Sequence, residues 1–215
     1  MSVVVIPPPP PELPVAPLIA VIPAGERLVR IYDPTRHQAG PLTFRRYGPL
    51  ARFDHHHPRE GGPEMDETRG VYYAAWAIPL GDALASCFDE VFGDRRVVVL
   101  GEHHVATPLV TRDLTLLDLR QNGAMLVGTV SAIAKCEHRL SQQWSSHFYG
   151  TYKHIDGLLY LNAHNDGPAL MLYERAESAL SCADEDAMRL DHPDLWPTLV
   201  RIMNDHALVD GRSGH

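Results

Sequence analysis

Residues 70–92, GVYYAAWAIPLGDALASCFDEVF, constrain the fold most, because their pattern changes period within a few residues. GVYYAAW is rich in aromatic and small residues and reads as a strand. Leu84, Cys87, Phe88, Val91 and Phe92 then recur at three- and four-residue spacing, which predicts a helix over 80–92. Pro79 and Asp82 suit its first turn, and Gly93-Asp94 closes it.

Similar short units fill the rest of the chain. RLVRIYD alternates as a strand and ends at Asp33-Pro34; RRVVVLG reads as a buried strand and LTLLDL as another. SAIAKCEHRLSQQWSSHFY is amphipathic at helical spacing, with Ile133, Cys136, Leu140, Trp144 and Phe148 on one face. HIDGLLYLN and PALMLYE are strands joined by the turn-rich AHNDG, and DLWPTLVRIMNDHAL is a helix packing through Leu199, Ile202 and Met203. Strands this close in sequence, mixed with helices, define an α+β class rather than a regular βαβ alternation.

The chain divides into residues 1–24, a proline-rich arm, and residues 25–215, a single domain with a core at 27–176 and a C-terminal helical extension at 177–215. Pro7 to Pro11 favour polyproline II, which has no internal hydrogen bonds. Such a segment is either a ligand for a proline-recognising groove or an extended arm lying on the domain or a neighbouring subunit. Residues 34–69 are irregular and rich in Pro, Gly and His, as functional loops are.

At 215 residues the chain can bury a full core. Its net charge of −8 argues against a nucleic-acid partner, which would call for a basic stripe. A small nucleotide needs only two well-placed arginines. Cys87, Cys136 and Cys182 are too irregularly spaced for a disulfide framework or zinc knuckle. No apolar run is long enough to predict a membrane helix, and the start lacks the basic region of a signal peptide, so the expected location is the cytoplasm.

Glu90 is the acid that stands out, because it falls on or beside the Cys87/Val91 stripe and would turn inward, whereas Asp89 reads as a solvated neighbour. An inward carboxylate needs a partner, which Arg30 in the strand LVRIYD or Arg52 in the loop GPLARFD could supply. A guanidinium held in a loop braced by Gly48, Pro49 and Phe53 suits bidentate phosphate binding. His55, His56 and His57 point in alternating directions along an extended chain, so no metal site is expected from them.

LVRIYD, ARFD, GVYYA with ALASCFDEVF, QQWSSHFY and DGLLYLNAHN, in this order, resemble the RES domain over residues 27–176. That family is named for a signature Arg, Glu and Ser. The resemblance implies a fold similar to ADP-ribosyltransferase toxins: a mixed β core flanked by helices. It implies the toxin half of a bacterial toxin–antitoxin pair, neutralised by a helix-turn-helix (Xre-like) antitoxin, and compatible with a homodimer.

The activity it implies is cleavage of the nicotinamide–ribose bond of NAD+, by hydrolysis or phosphorolysis. Neither a metal nor a second cofactor is required, and inorganic phosphate is a possible co-substrate. Alternatives are transfer of ADP-ribose to a protein target and a catalytically inactive interaction module. By motif, Glu90 is the signature glutamate and Arg30 the signature arginine, these two being catalytic. Arg30, Arg52, Tyr72 and Asn162 bind the substrate. Asn162 stands in place of the family's serine and keeps the donor and acceptor capacity to bond a ribose hydroxyl or phosphate. Ala51 replaces a glycine.

Overall fold

The computed structural model of the protein describes residues 5–12, 16–57 and 60–211. Its centre is a five-stranded mixed sheet in the order β1 (Ile19–Ile22), β9 (Leu114–Asp118), β10 (Gly157–Leu161), β11 (Pro168–Tyr173), β5 (Val71–Ala74). The β9–β10 pair is parallel and the others antiparallel. β9, β10 and β11 are almost continuously buried, which is why their sequences are unbroken apolar runs rather than alternating ones.

One sheet face, through Leu117, Leu158 and Met171, packs on Trp144 and Phe148 of helix α3 (His138–Thr151). Leu116, Leu159, Leu170 and Leu172 on the opposite face pack with Leu28, Ala176 and Ala179. A third apolar cluster joins α1 (Leu80–Phe92) to α4 (Trp196–Asp205) through Leu84, Phe88, Leu199, Ile202 and Met203.

Smaller sheets tie the periphery to this centre. β2 (Arg30–Tyr32), β7 (His104–Ala106) and β13 (Ala187–Arg189) form one, with β7 in the middle. Three two-stranded ladders complete the set: β3 (Tyr47–Gly48) with β4 (Glu64–Met65), β8 (Leu109–Val110) with β12 (Leu180–Ser181), and β6 (Val97–Val98) with β14 (Val209–Asp210). The fold class is therefore α+β with a mixed sheet core.

The boundaries read from sequence shift in four places. The domain starts before Arg27, because Ile19–Ile22 pairs in register with Leu114–Leu117 as an edge strand of the main sheet. The C-terminal segment is not purely helical, since β12, β13 and β14 each pair with an earlier strand. The second long helix is interrupted: a 3₁₀ turn, Ser131–Ala134, precedes α3, and α2 (Gly123–Leu126) is one short turn. RRVVVLG contributes only the two residues of β6: Val98 and Leu100 are buried in the α1–α4 cluster, whereas Val97 and Val99 face outward and are exposed.

The proline segment lies on the domain. Ile6 packs against the α3 cluster, and Trp144 Nε1 donates to the Pro7 carbonyl at 2.9 Å. This bond satisfies a fully buried indole N–H with a carbonyl that polyproline II leaves free.

Candidate active site

Glu90 sits in the last turn of α1, where the helix dipole disfavours a carboxylate. The sequence pattern assigned the two adjacent acids the wrong way round. Asp89 is the buried one, and its carboxylate bonds His206 Nδ1 at 2.5 Å, fastening α1 to the end of α4. Glu90 reaches an open cavity of about 450 Å³, lined also by Arg52, Tyr73, His138, Tyr160 and His164. Val91, expected in the packing stripe, is likewise exposed and lines the same cavity.

The Glu90 carboxylate is accessible from the cavity yet surrounded by protein on its other sides. Burial raises its pKa, and the Asp94 charge adds to that effect. Interactions with the His164 ring, the Arg52 guanidinium and the Ala163 backbone amide oppose the rise. Glu90 is thus an acid in a concave site whose pKa is raised by burial and held down in part by neighbouring donors, as the acids of functional sites are.

Arg52 comes to this cavity on a turn organised by Asp54. The Asp54 carboxylate is wholly buried and accepts bonds from Leu50 N (2.6 Å), Ala51 N (2.9 Å), Arg45 Nη2 (2.7 and 2.8 Å) and the Tyr73 hydroxyl (2.8 Å). From α3, Gln142 Nε2 donates to the Ala51 carbonyl at 2.9 Å. Arg52 Nε donates to the Cys136 carbonyl at 3.1 Å, which fixes the guanidinium plane. Among the described residues no carboxylate pairs with its terminal nitrogens, so they are free to bind an anion bidentately.

Two tyrosines form walls. Tyr73 belongs to β5, and the Tyr160 ring packs on Phe53 with centroids 4.7 Å apart. Burial, reinforced by the Glu90 charge, pushes the Tyr160 phenol well above its ordinary pKa, so it stays protonated at neutral pH and keeps its O–H as a hydrogen-bond donor. Cys87 also lines the cavity, but burial and the Glu90 charge push its thiol up to about 12, and it donates to the Val29 carbonyl at 3.1 Å. A thiol in that state is not a nucleophile.

Three of the expected substrate contacts lie elsewhere. Arg30 lines a separate pocket of about 180 Å³ beside Arg36, His37 and Arg45, and only Ile31 and Tyr73 border both cavities. Its guanidinium is stacked over the Tyr72 ring, 4.2 Å from the centroid, with Nε unpartnered, and burial lowers its pKa. Tyr72 is fully buried and donates to the Pro41 carbonyl at 2.8 Å. Successive strand residues face opposite sides, so Tyr73 rather than Tyr72 reaches the cavity. Asn162 is fully buried: Nδ2 donates to Ser86 Oγ at 2.8 Å, and Oδ1 accepts from His164 N and Asn165 N, both at 2.9 Å. With its polar atoms committed, it does not line the cavity.

The three histidines of the run are held by separate neighbours. His55 Nε2 bonds Glu174 at 2.9 Å, His57 Nδ1 bonds Asp66 at 2.8 Å, and His56 packs under Gly48. Among the described residues no group of three or more His, Cys, Asp or Glu side chains is placed to hold a metal ion. No described helix is long and apolar enough to cross a membrane.

Fold and site together define an α+β protein with an open cavity lined by the carboxylates Glu90 and Asp94 and by Arg52, whose terminal nitrogens pair with no carboxylate among the described residues. The same fold occurs in a solved structure, a chain of the M. tuberculosis MbcT–MbcA toxin–antitoxin complex. The two match with a TM-score of 0.54 at 17% sequence identity, over 83% of this chain and 91% of that one. At that identity the likeness is one of fold, and it agrees with the fold that the RES-type motifs imply. No family model and no curated protein matches the sequence.

Proposed function

We propose that the Glu90–Arg52 cavity binds NAD+ and breaks its nicotinamide–ribose bond. The observation that carries this reading is the placement of the Glu90 carboxylate and the Arg52 guanidinium, which has no carboxylate partner among the described residues, in the same cavity. In NAD+ the nicotinamide ring is already cationic. When the C1′–N bond breaks, its electron pair goes to the ring nitrogen and a neutral pyridine departs, so no general acid is needed.

Positive charge develops on the ribose, where Glu90 stabilises it electrostatically. Arg52 holds the pyrophosphate through its terminal nitrogens. Tyr73 and Tyr160 offer aromatic surface to a base. The new bond to C1′ is made by an oxygen of water, which then releases a proton, or of inorganic phosphate, giving the ribose 1-phosphate ester.

The RES-type motifs and the fold shared with a toxin–antitoxin component support an intracellular toxin role, with an antitoxin of helix-turn-helix type as partner. Mass spectrometry of NAD+ incubated with the protein, with and without phosphate, tests the chemistry. ADP-ribose alone indicates hydrolysis, and a phosphorylated ADP-ribose in the phosphate arm indicates phosphorolysis. Intact NAD+ in both arms would sink the proposal.

A further inference from the structure

Ser86, Glu90 and Gly93 are spaced i, i+4, i+7 on α1 and so share one helix face. The turn 162–167 between β10 and β11 lies along that face and is fastened to it at both ends. At the first end, Asn162 Nδ2 donates to Ser86 Oγ, which itself donates to the Pro168 carbonyl at 2.9 Å. A Cβ on Gly167 would come within 2.9 Å of Ser86 Oγ, so this end is in tight contact. At the other end the His164 ring packs over Gly93, where an added Cβ would lie 2.8 Å from Nδ1.

Glu90 lies between these two attachments. Asn162 also shapes the turn itself, since its Oδ1 accepts the N–H groups of His164 and Asn165 and its own N–H donates to the Gly167 carbonyl at 2.8 Å. The residues it holds in place, Ala163 and His164, are those that line the cavity and face the Glu90 carboxylate.

We infer that Asn162 and Ser86 act as one positioning unit, which sets the register of the 162–167 turn on α1 and so holds the Ala163 amide and the His164 ring against Glu90. Neither residue is a ligand for the substrate in this account. The inference rests on the reading of Glu90 as the carboxylate at the reacting centre, and it assigns the site two residues that act only through their neighbours.

The test is the titration of Glu90, read from its side-chain carboxyl ¹³C resonance in the full-length protein between about pH 3 and pH 8. The groups that face this carboxylate are His164 and the Ala163 amide from the turn, Arg52 from its loop, Tyr160 from β10, Cys87 one turn earlier on α1, and Asp94 just beyond the helix end. Losing the turn removes the first two, both of which favour the charged form. Asn162→Ala and Ser86→Ala are therefore each expected to raise the Glu90 pKa by roughly half a unit to one unit. The double variant should add nothing further, because the two residues act as one unit.

Ile22→Val, in the buried face of β1, is the control for general loosening and should leave the titration in place. If Asn162→Ala does not fold, Ser86→Ala carries the test alone. An unchanged Glu90 titration in cooperatively folded variants overturns the inference, as does an equal shift in the Ile22 control. A wild-type protein that leaves NAD+ intact would sink the proposed function without altering this titration, so the two readings fail separately.

Discussion

Replacing Asp54 with asparagine perturbs the turn that presents Arg52, and its cost can be worked from the structure. The carboxylate is fully buried and accepts five bonds: two from Arg45, one each from the Leu50 and Ala51 amides, and one from the Tyr73 hydroxyl. Asparagine removes the charge that pairs with Arg45 and turns an NH₂ group toward donors. Breaking a buried ion pair from one side costs about 3–5 kcal/mol, because the other charge stays behind unpaired.

A chain of this length has a urea slope of about 2–3 kcal/mol/M, so the unfolding midpoint should fall by about 1–2.5 M. Fluorescence of the buried Trp144 reports the transition in equilibrium urea unfolding. NAD+ consumption in the same variant should show a raised KM with a smaller change in kcat, since Arg52 is read as a binding group. A midpoint within about 0.4 M of wild type, roughly 1 kcal/mol, would refute the assignment of Asp54 as the hub of this turn.

Two predictions concern pH. Burial raises the Glu90 pKa, so the folded state binds this proton more tightly than the unfolded state does, and stability falls as pH rises through the interval above the ordinary carboxylate value. Glu90→Gln should accordingly raise Tm by about 1–3 °C at neutral pH, with the gain vanishing below about pH 4; calorimetry showing a gain that grows toward acid would contradict this. Burial also acts to raise the pKa of Glu174, but hydrogen bonds from His55, Tyr149 and the Gly70 amide outweigh it and hold the carboxyl at about 2 against an ordinary 4.5. Its stabilisation, about 3 kcal/mol at neutral pH, is present above the ordinary value and is lost as pH falls toward 2. Urea midpoints of Glu174→Gln and wild type should differ by a constant amount above about pH 5 and converge in acid, and a difference independent of pH would count against the network.

Elements with strong periodicity were legible in the sequence. α1, α4 and the strands β9, β10 and β11 fall where their apolar patterns put them. The edge strand was not. Ile19–Ile22 is flanked by prolines, and nothing local shows that Leu114–Leu117 will pair with it. The choice between Asp89 and Glu90 also eluded the pattern, because both border the packed face and only the long-range partner His206 decides which is buried. Tyr72 and Tyr73 differ by one residue in a strand, so a motif can find the pair without saying which side of the sheet bears the cavity. His164 and Tyr160 carry a weaker signal still: one lies in, and the other just before, a turn that touches α1 where Asn162 reaches across to Ser86.

If the Glu90 carboxylate does chemistry at the ribose rather than holding the fold together, neutralising it slows the reaction and leaves stability intact. The most direct measurement is the rate of nicotinamide release from NAD+ by wild type and by Glu90→Gln at equal protein concentration, with the urea midpoint of each recorded alongside. The account predicts a rate lower by about 10²- to 10³-fold in the variant, with a midpoint at or above that of wild type. Nicotinamide released equally fast by both proteins would contradict it.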